Sequence, residues 1–304
     1  ILTANKKHTM QNFKYYAPTH VLFGRQTEDH VAELIKRYGG NKVLLHYGGQ
    51  SAIRSGLMAK VERILSDAGI EYVKLGGVVP NPRLSLVREG IELCKAEGVD
   101  FLLAVGGGSV IDSCKAISAG RFYDGDVWTL YEHKDEAERF LPIGCILTIP
   151  AAGSEMSDGS VITNDEVEGW LKKDYCTDSF RCKFAIMNPE LTFTLPAWQT
   201  ACGITDMMMH TMERYFSKDD DMETTDAIAE AVLRTCTNQY VEWPAKQNSE
   251  VGMGEREAHG EHDESEDEAR HITPYPGEEH GETPGRYGGG YDESRRVGCE
   301  QTTY

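Results

Sequence analysis

Positive charge is scarce in this chain: 31 Lys and Arg stand against 49 Asp and Glu, for a formal net charge of −18. Nothing neutralises phosphates, so nucleic acid and anionic membrane surfaces are excluded as partners. No apolar run is long enough for a transmembrane helix, and the opening "ILTANKKHTMQNF" lacks the apolar core of a signal peptide. Residues 1–9, before Met10, read as an upstream extension. The eight cysteines include no Cys-x-x-Cys pair, and most lie in apolar or helical contexts. That usage offers no zinc-ribbon spacing and predicts reduced thiols buried as small hydrophobes. These absences together predict a soluble, cytoplasmic protein.

Phenylalanine and leucine are missing from the last fifth of the chain. No phenylalanine follows Phe216 and no leucine follows Leu233. In residues 237–304, sixteen acidic side chains face six basic ones, as in "GEREAHGEHDESEDEARH". Such a segment cannot bury enough apolar surface to offset chain entropy. Residues 241–304 are therefore expected to be an irregular or disordered acidic tail, with the look of a truncated or frame-shifted continuation.

What is present upstream is a regular alternation. "VLLHY" (43–47), "EYVKL" (71–75), "FLLAV" (101–105) and "GCILTI" (144–149) read as strands. Helical patterns lie between them at 51–68 and 83–97; in the first, Ile53, Leu57, Val61 and Leu65 form one apolar stripe. Strand and helix at this cadence imply an α/β fold: a parallel sheet covered by helices on both faces over residues 10–194. From Pro196 the pattern turns helical without strands, so residues 195–240 are expected to begin an all-helical domain.

Two loops carry the chemistry. "FLLAVGGGSVIDSCKAISAG" runs a buried strand into Gly106, Gly107, Gly108 and Ser109 and then a helix. Glycines admit a close ligand, and the N–H groups of a helix start suit a pyrophosphate. Ser109 is placed to cap the helix or bind a phosphate oxygen, with Asp112 and Lys115 following. A plain tight turn is the alternative, and the motif is neither G-x-G-x-x-G nor a Walker loop. "HYGGQS" repeats the theme with Gly49 and Ser51 after an earlier strand. An acid there would bind a ribose 2′-hydroxyl; its absence, with Arg54 nearby, mildly favours NADP over NAD. "LTIPAAGSEMSDGSVIT" adds small and hydroxylated residues apt for a ribose or nicotinamide.

In "GITDMMMHTMERYF", Asp206 and His210 stand one helical turn apart and share a face. They suit two ligands of one metal ion; a dipole-favoured aspartate beside a solvated histidine is the other reading.

Taken together, "VGGGSVIDSCKA", "TIPAAGSEMS", "MNPELTFTLP" and "GITDMMMHTMERYF" resemble the iron-containing (type III) alcohol dehydrogenases, in the butanol dehydrogenase and aldehyde reductase branch. The likeness runs from about residue 11 to residue 236. It implies a Rossmann-like domain followed by a helical, dehydroquinate-synthase-like domain, here cut short, with a metal between them. It implies Asp206 and His210 as two ligands of a divalent ion, Fe(II) before zinc. Their methionine neighbours would line a dry pocket. It implies Gly107, Gly108 and Ser109 at the pyrophosphate, Asp112 toward the nicotinamide, and Asn81, Thr148 and Lys172 at the nucleotide, the loop around Trp170 being unusual. NAD and NADP both stay open. The implied activity is hydride transfer between NAD(P)H and a primary alcohol or aldehyde such as butanol or butanal, with a homodimer as candidate assembly. The family's other two ligands are downstream histidines. His259, His262, His271 and His280 fall in that window, yet none sits in an apolar helical pattern, and they are not expected to complete the site. The alternative is therefore a catalytically incomplete nucleotide-binding remnant. A dehydroquinate-synthase-like lyase or glycerol-phosphate dehydrogenase would want a basic cluster near 195–216, which the sequence lacks.

Overall fold

The computed structural model describes residues 14–217 and 222–254. Residues up to Cys236 belong to one compact unit, and a second begins at Thr237. In chain order the first unit's elements are β1 (His20–Phe23), α1 (Val31–Arg37), β2 (Lys42–Tyr47), α2 (Ser51–Arg54), α3 (Leu57–Asp67), β3 (Glu71–Leu75), α4 (Leu84–Glu97) and β4 (Phe101–Gly106). After these come α5 (Gly108–Gly120), α6 (Trp128–Tyr131), β5 (Ile143–Leu147), β6 (Gly159–Asn164), β7 (Leu171–Cys176), β8 (Phe184–Met187) and α7 (Ala197–Tyr215). The helix α8 (Glu223–Gly254) begins in this unit and crosses into the next.

Six strands form one parallel sheet in the order β1-β8-β5-β4-β2-β3. Alternate side chains of each strand go to opposite faces. Leu44, Leu102 and Ala104 pack with Leu84, Val87 and Ile117 of α4 and α5. Val43, Leu45, Leu103 and Val105 pack with Ile35, Val61 and Leu65 of α1 and α3. The expected parallel sheet with helices on both faces is what forms. The chain winds outward from β2 to β3, then returns to β4 on the other side of β2. Both glycine loops leave the sheet at this reversal, from the carboxyl ends of β2 and β4, where α/β sheets take their ligands.

Four strands escape the sequence pattern. β1 and β8 are four residues each, and β6 with β7 makes a separate antiparallel pair whose outer strand, "LKKDYC", is mostly polar. The helix expected over 51–68 is two pieces. Gly56 lies between them at φ 78°, a left-handed conformation that L side chains resist. The break resets the helical register, so Leu57, Val61 and Leu65 are buried while Ile53 is 43% exposed.

Two further expectations change. α8 continues to Gly254, past the boundary at residue 240 read from composition. Residues 241–251 contain no glycine, and the helix continues through Pro244 although proline lacks the N–H and costs about 3 kcal/mol in a helix interior. Residues 255–304 lie outside the described residues. Cys94, Cys114, Cys145 and Cys182 are buried free thiols as expected, whereas Cys176 is disulfide-bonded. Cys176 ends β7 and is only half-buried, so its sulfur is not sequestered like those in the core. No helix among the described residues is long and apolar enough to cross a membrane.

Candidate active site

The glycine bend is shaped by its neighbours. A Cβ on Gly107 would come within 2.4 Å of Ile149 Cγ2, so this position has no room for a side chain. Gly108 is open by comparison, the nearest atom to a Cβ being that of Ser154 at 3.7 Å. α5 starts here with Gly107 as its N-cap and no side-chain cap, so Ser109 does not cap the helix as expected. The leading N–H groups of such an end are left without intrahelical partners and favour an anion. Thr148 sits beside the bend, its N–H donating to Gly106 O at 3.1 Å.

Ile149 is followed by Pro150, and Pro150 reaches α7. A Cβ on Gly203 would stand 2.8 Å from the Pro150 carbonyl oxygen. Gly203, Asp206 and His210 follow one another at three- and four-residue steps, so they share a helix face. On that face His210 Nε2 lies 3.8 Å from Asp206 Oδ1, and His210 Nδ1 lies 3.9 Å from Glu213 Oε2. The carboxylate and imidazole converge without being hydrogen-bonded, an arrangement open to a shared cation. Among the described residues no three His, Cys, Asp or Glu side chains form a group that could hold a metal. Aspartate with histidine is a donor set that suits a borderline divalent ion, and these two fit as part of its shell. His259, His262, His271 and His280 lie outside the described residues. The methionines do not make a dry pocket: Met209 is 57% exposed, and Gly203 is the one buried residue of α7. Pro150 O packs against Gly203, and at the far end of the helix Tyr215 Oη donates to Glu230 Oε1 of α8 at 3.2 Å.

A second group forms across the sheet's carboxyl edge. Lys172 of β7 donates its Nζ to Asn81 Oδ1 at 2.8 Å, joining two residues 91 apart in sequence. Both are exposed, as are Gly49 and Ser51 after β2. Ser51 opens α2, a single turn.

Asp112 has both carboxylate oxygens engaged by neighbouring protein groups. Its Oδ1 accepts from Ser154 Oγ at 2.6 Å and its Oδ2 from the Val161 N–H at 3.1 Å, so the carboxylate braces protein rather than facing an open cleft. Burial raises its pKa, against the pull of the Lys115 and Lys172 charges. Lys115, fully buried, donates to the carbonyls of Ser154 at 2.8 Å, Ser157 at 3.0 Å and Gly159 at 2.7 Å. Burial lowers its pKa, opposed first by the Asp112 charge. Arg181, also buried, holds the same loop through Met156 O at 2.8 Å and Asp158 Oδ2 at 3.2 Å. Residues 150–160, between glycine bend and α7, are thus fixed by buried charge.

His46 supports the bend from below. Its Nδ1–H donates to Leu75 O at 2.8 Å, which leaves Nε2 to accept from Ser113 Oγ at 2.8 Å. Burial pushes its pKa down to about 4, so the imidazole is neutral and ties β2, β3 and α5 together.

Residues 18–189 match the family model described as iron-containing alcohol dehydrogenase. The chain is 45% identical over 227 residues to NADH-dependent butanol dehydrogenase A of Clostridium acetobutylicum, covering 75% of this chain and 58% of that protein. It is 35% identical to the NADPH-dependent aldehyde reductase YqhD of Escherichia coli, covering 74% and 58%. The crystal structure of NADH-dependent butanol dehydrogenase A from Thermotoga maritima superposes with a TM-score of 0.74 at 40% identity, covering 77% of this chain and 58% of that one. The chain therefore spans a little under three-fifths of the length of these relatives. The sheet, the glycine bend and the matched span agree: this chain belongs to the iron-containing alcohol dehydrogenase family.

Proposed function

We propose that this chain carries the dinucleotide site and two metal ligands of an oxidoreductase that moves hydride between NAD(P)H and a primary alcohol or aldehyde such as butanol or butanal. The observation that carries the reading is the path Gly107–Ile149–Pro150–Gly203, which puts the glycine bend and the Asp206–His210 face on one loop. The pyrophosphate would lie on the N–H groups of Gly108 and Ser109 at the open end of α5. Asn81 and Lys172 would meet the ribose, Gly49 and Ser51 the adenosine end, and Thr148 the nucleotide beside Gly106. Asp112 acts through the loop it braces. Bound NAD(P)H supplies the hydride, and holding donor and acceptor in one orientation is the chain's main contribution to rate. A divalent ion on Asp206 and His210, Fe(II) before zinc, would supply Lewis acidity toward the substrate oxygen.

Relatives named as butanol dehydrogenases and as an aldehyde reductase favour hydride transfer over a remnant that only binds nucleotide. Their names include both NADH and NADPH, and the glycine-rich loop at Gly49 leaves room for a 2′-phosphate. Cytoplasmic residence fits the four buried free thiols, with Cys176 the exception. A homodimer fits the open edge of β1, where Val21 and Phe23 are exposed.

The test is calorimetric titration of NADH and NADPH into the chain and into Gly108→Val. A Cβ here meets only Ser154 Cβ, at 3.7 Å, so a side chain enters the space open to the pyrophosphate and binding should fall at least about tenfold with folding retained. Equal affinity in both proteins would contradict the assignment of the bend.

A further inference from the structure

The β6–β7 pair is fastened to the segment leading into α4 by a row of links. The Thr163 N–H donates to Pro82 O at 2.8 Å, Ser85 Oγ donates to Asp165 Oδ2 at 2.6 Å, and Arg88 pairs with Glu166. Further along, the Arg83 guanidinium lies 4.0 Å from the centre of the Trp170 ring, and Lys172 reaches Asn81. Two of these residues are in the left-handed region: Asn81 at φ 57° and Trp170 at φ 48°. Asparagine enters it readily, but a bulky aromatic does so only when its surroundings hold it there. Core packing is not what holds Trp170, since the residue is 55% exposed. Its backbone N–H closes a turn on Val167 O at 3.2 Å, and its ring face attracts the Arg83 guanidinium.

Trp170 stands two residues before Lys172, and Arg83 two residues after Asn81. The Trp170–Arg83 stack and the Lys172–Asn81 hydrogen bond are two links between the same two segments.

We propose that Trp170, stacked on Arg83, is a positioning residue for the cofactor: it fixes the end of β7 from which Lys172 presents its ammonium to the dinucleotide ribose. This rests on the reading that Asn81 and Lys172 touch the cofactor. Trp170 acts through Lys172, and the strained backbone at residue 170 is retained because it aims the ring at Arg83.

The experiment is calorimetric titration of NADH into the full chain and into Trp170→Gly, Trp170→Phe, Lys172→Ala and the double variant that combines Trp170→Gly with Lys172→Ala, with thermal unfolding of each. Glycine accepts the left-handed conformation freely, so Trp170→Gly should keep or raise Tm while weakening NADH about fivefold. Trp170→Phe keeps a ring on the guanidinium and should bind within about twofold of the parent. The double variant should bind no more weakly than Lys172→Ala alone, because the two act in series. Undiminished binding by Trp170→Gly, with Lys172→Ala weakened, would overturn the inference and leave the cofactor reading standing. So would a fall in Tm that tracks the loss of affinity, or additive losses in the double variant. Undiminished binding by Lys172→Ala would overturn the cofactor reading at these residues and the inference with it.

Discussion

Gly203 and the carbonyl oxygen of Pro150 meet so closely that a Cβ at residue 203 would stand 2.8 Å from that oxygen. One helix and one loop are thereby set at a fixed distance, and the helix is the one that bears Asp206 and His210. The neighbour is backbone and cannot swing away as a side-chain tip can. Gly203→Ala should therefore destabilise by about 1–3 kcal/mol, outweighing the roughly 1 kcal/mol that alanine brings to a helix. Urea unfolding checks the sign. A stabilised variant would mean that α7 does not rest on Pro150.

Buried charge under the 150–160 loop makes a second prediction. Lys115→Met strands the carbonyls of Ser154, Ser157 and Gly159 and should cost about 3 kcal/mol. Asp112→Asn disturbs the same loop through Ser154, so the two losses should not add. Chemical denaturation of both single variants and the double reads the coupling. Simple additivity would show that the two residues do not share a network.

His46 gives the fold a pH dependence of definite sign. Its pKa in the folded chain is about 4, below the ordinary value of 6.5, because burial disfavours the charged ring. Between these values the unfolded chain binds more protons, so stability rises with pH across the interval and is lost on acidification through it. From pH 7 to pH 5 the loss from this residue should be roughly 2 kcal/mol. His46→Gln should flatten that part of the profile. A slope unchanged by the substitution would place the titration elsewhere.

The sheet core was legible because buried parallel strands are short apolar runs: the run expected at Glu71–Leu75 is the strand observed, and β4 extends its run by one residue. β1 and β8 are too short to stand out, and β7 is too polar. Gly56 split a helix that periodicity alone would join, since a stripe of apolar residues does not register backbone sign. At the site, glycine spacing and the Asp206–His210 step announced themselves through local geometry. The Asn81–Lys172 contact spans 91 residues and has no local signature; resemblance to a family pointed to each residue separately, as a cofactor contact, and not to their pairing. Lys115 and Asp112 look like solvated helix positions until the loop over them is seen.

The central claim is that a dinucleotide on the Gly107–Gly108 bend lies beside a cation on Asp206 and His210. Paramagnetic relaxation tests it directly, with Mn(II) as the probe ion and the nicotinamide C4 proton of bound NAD as the reporter. The prediction is strong relaxation enhancement in the parent chain that disappears in Asp206→Ala while NAD stays bound. Bound NAD whose C4 proton ignores Mn(II), or responds equally in Asp206→Ala, would contradict it.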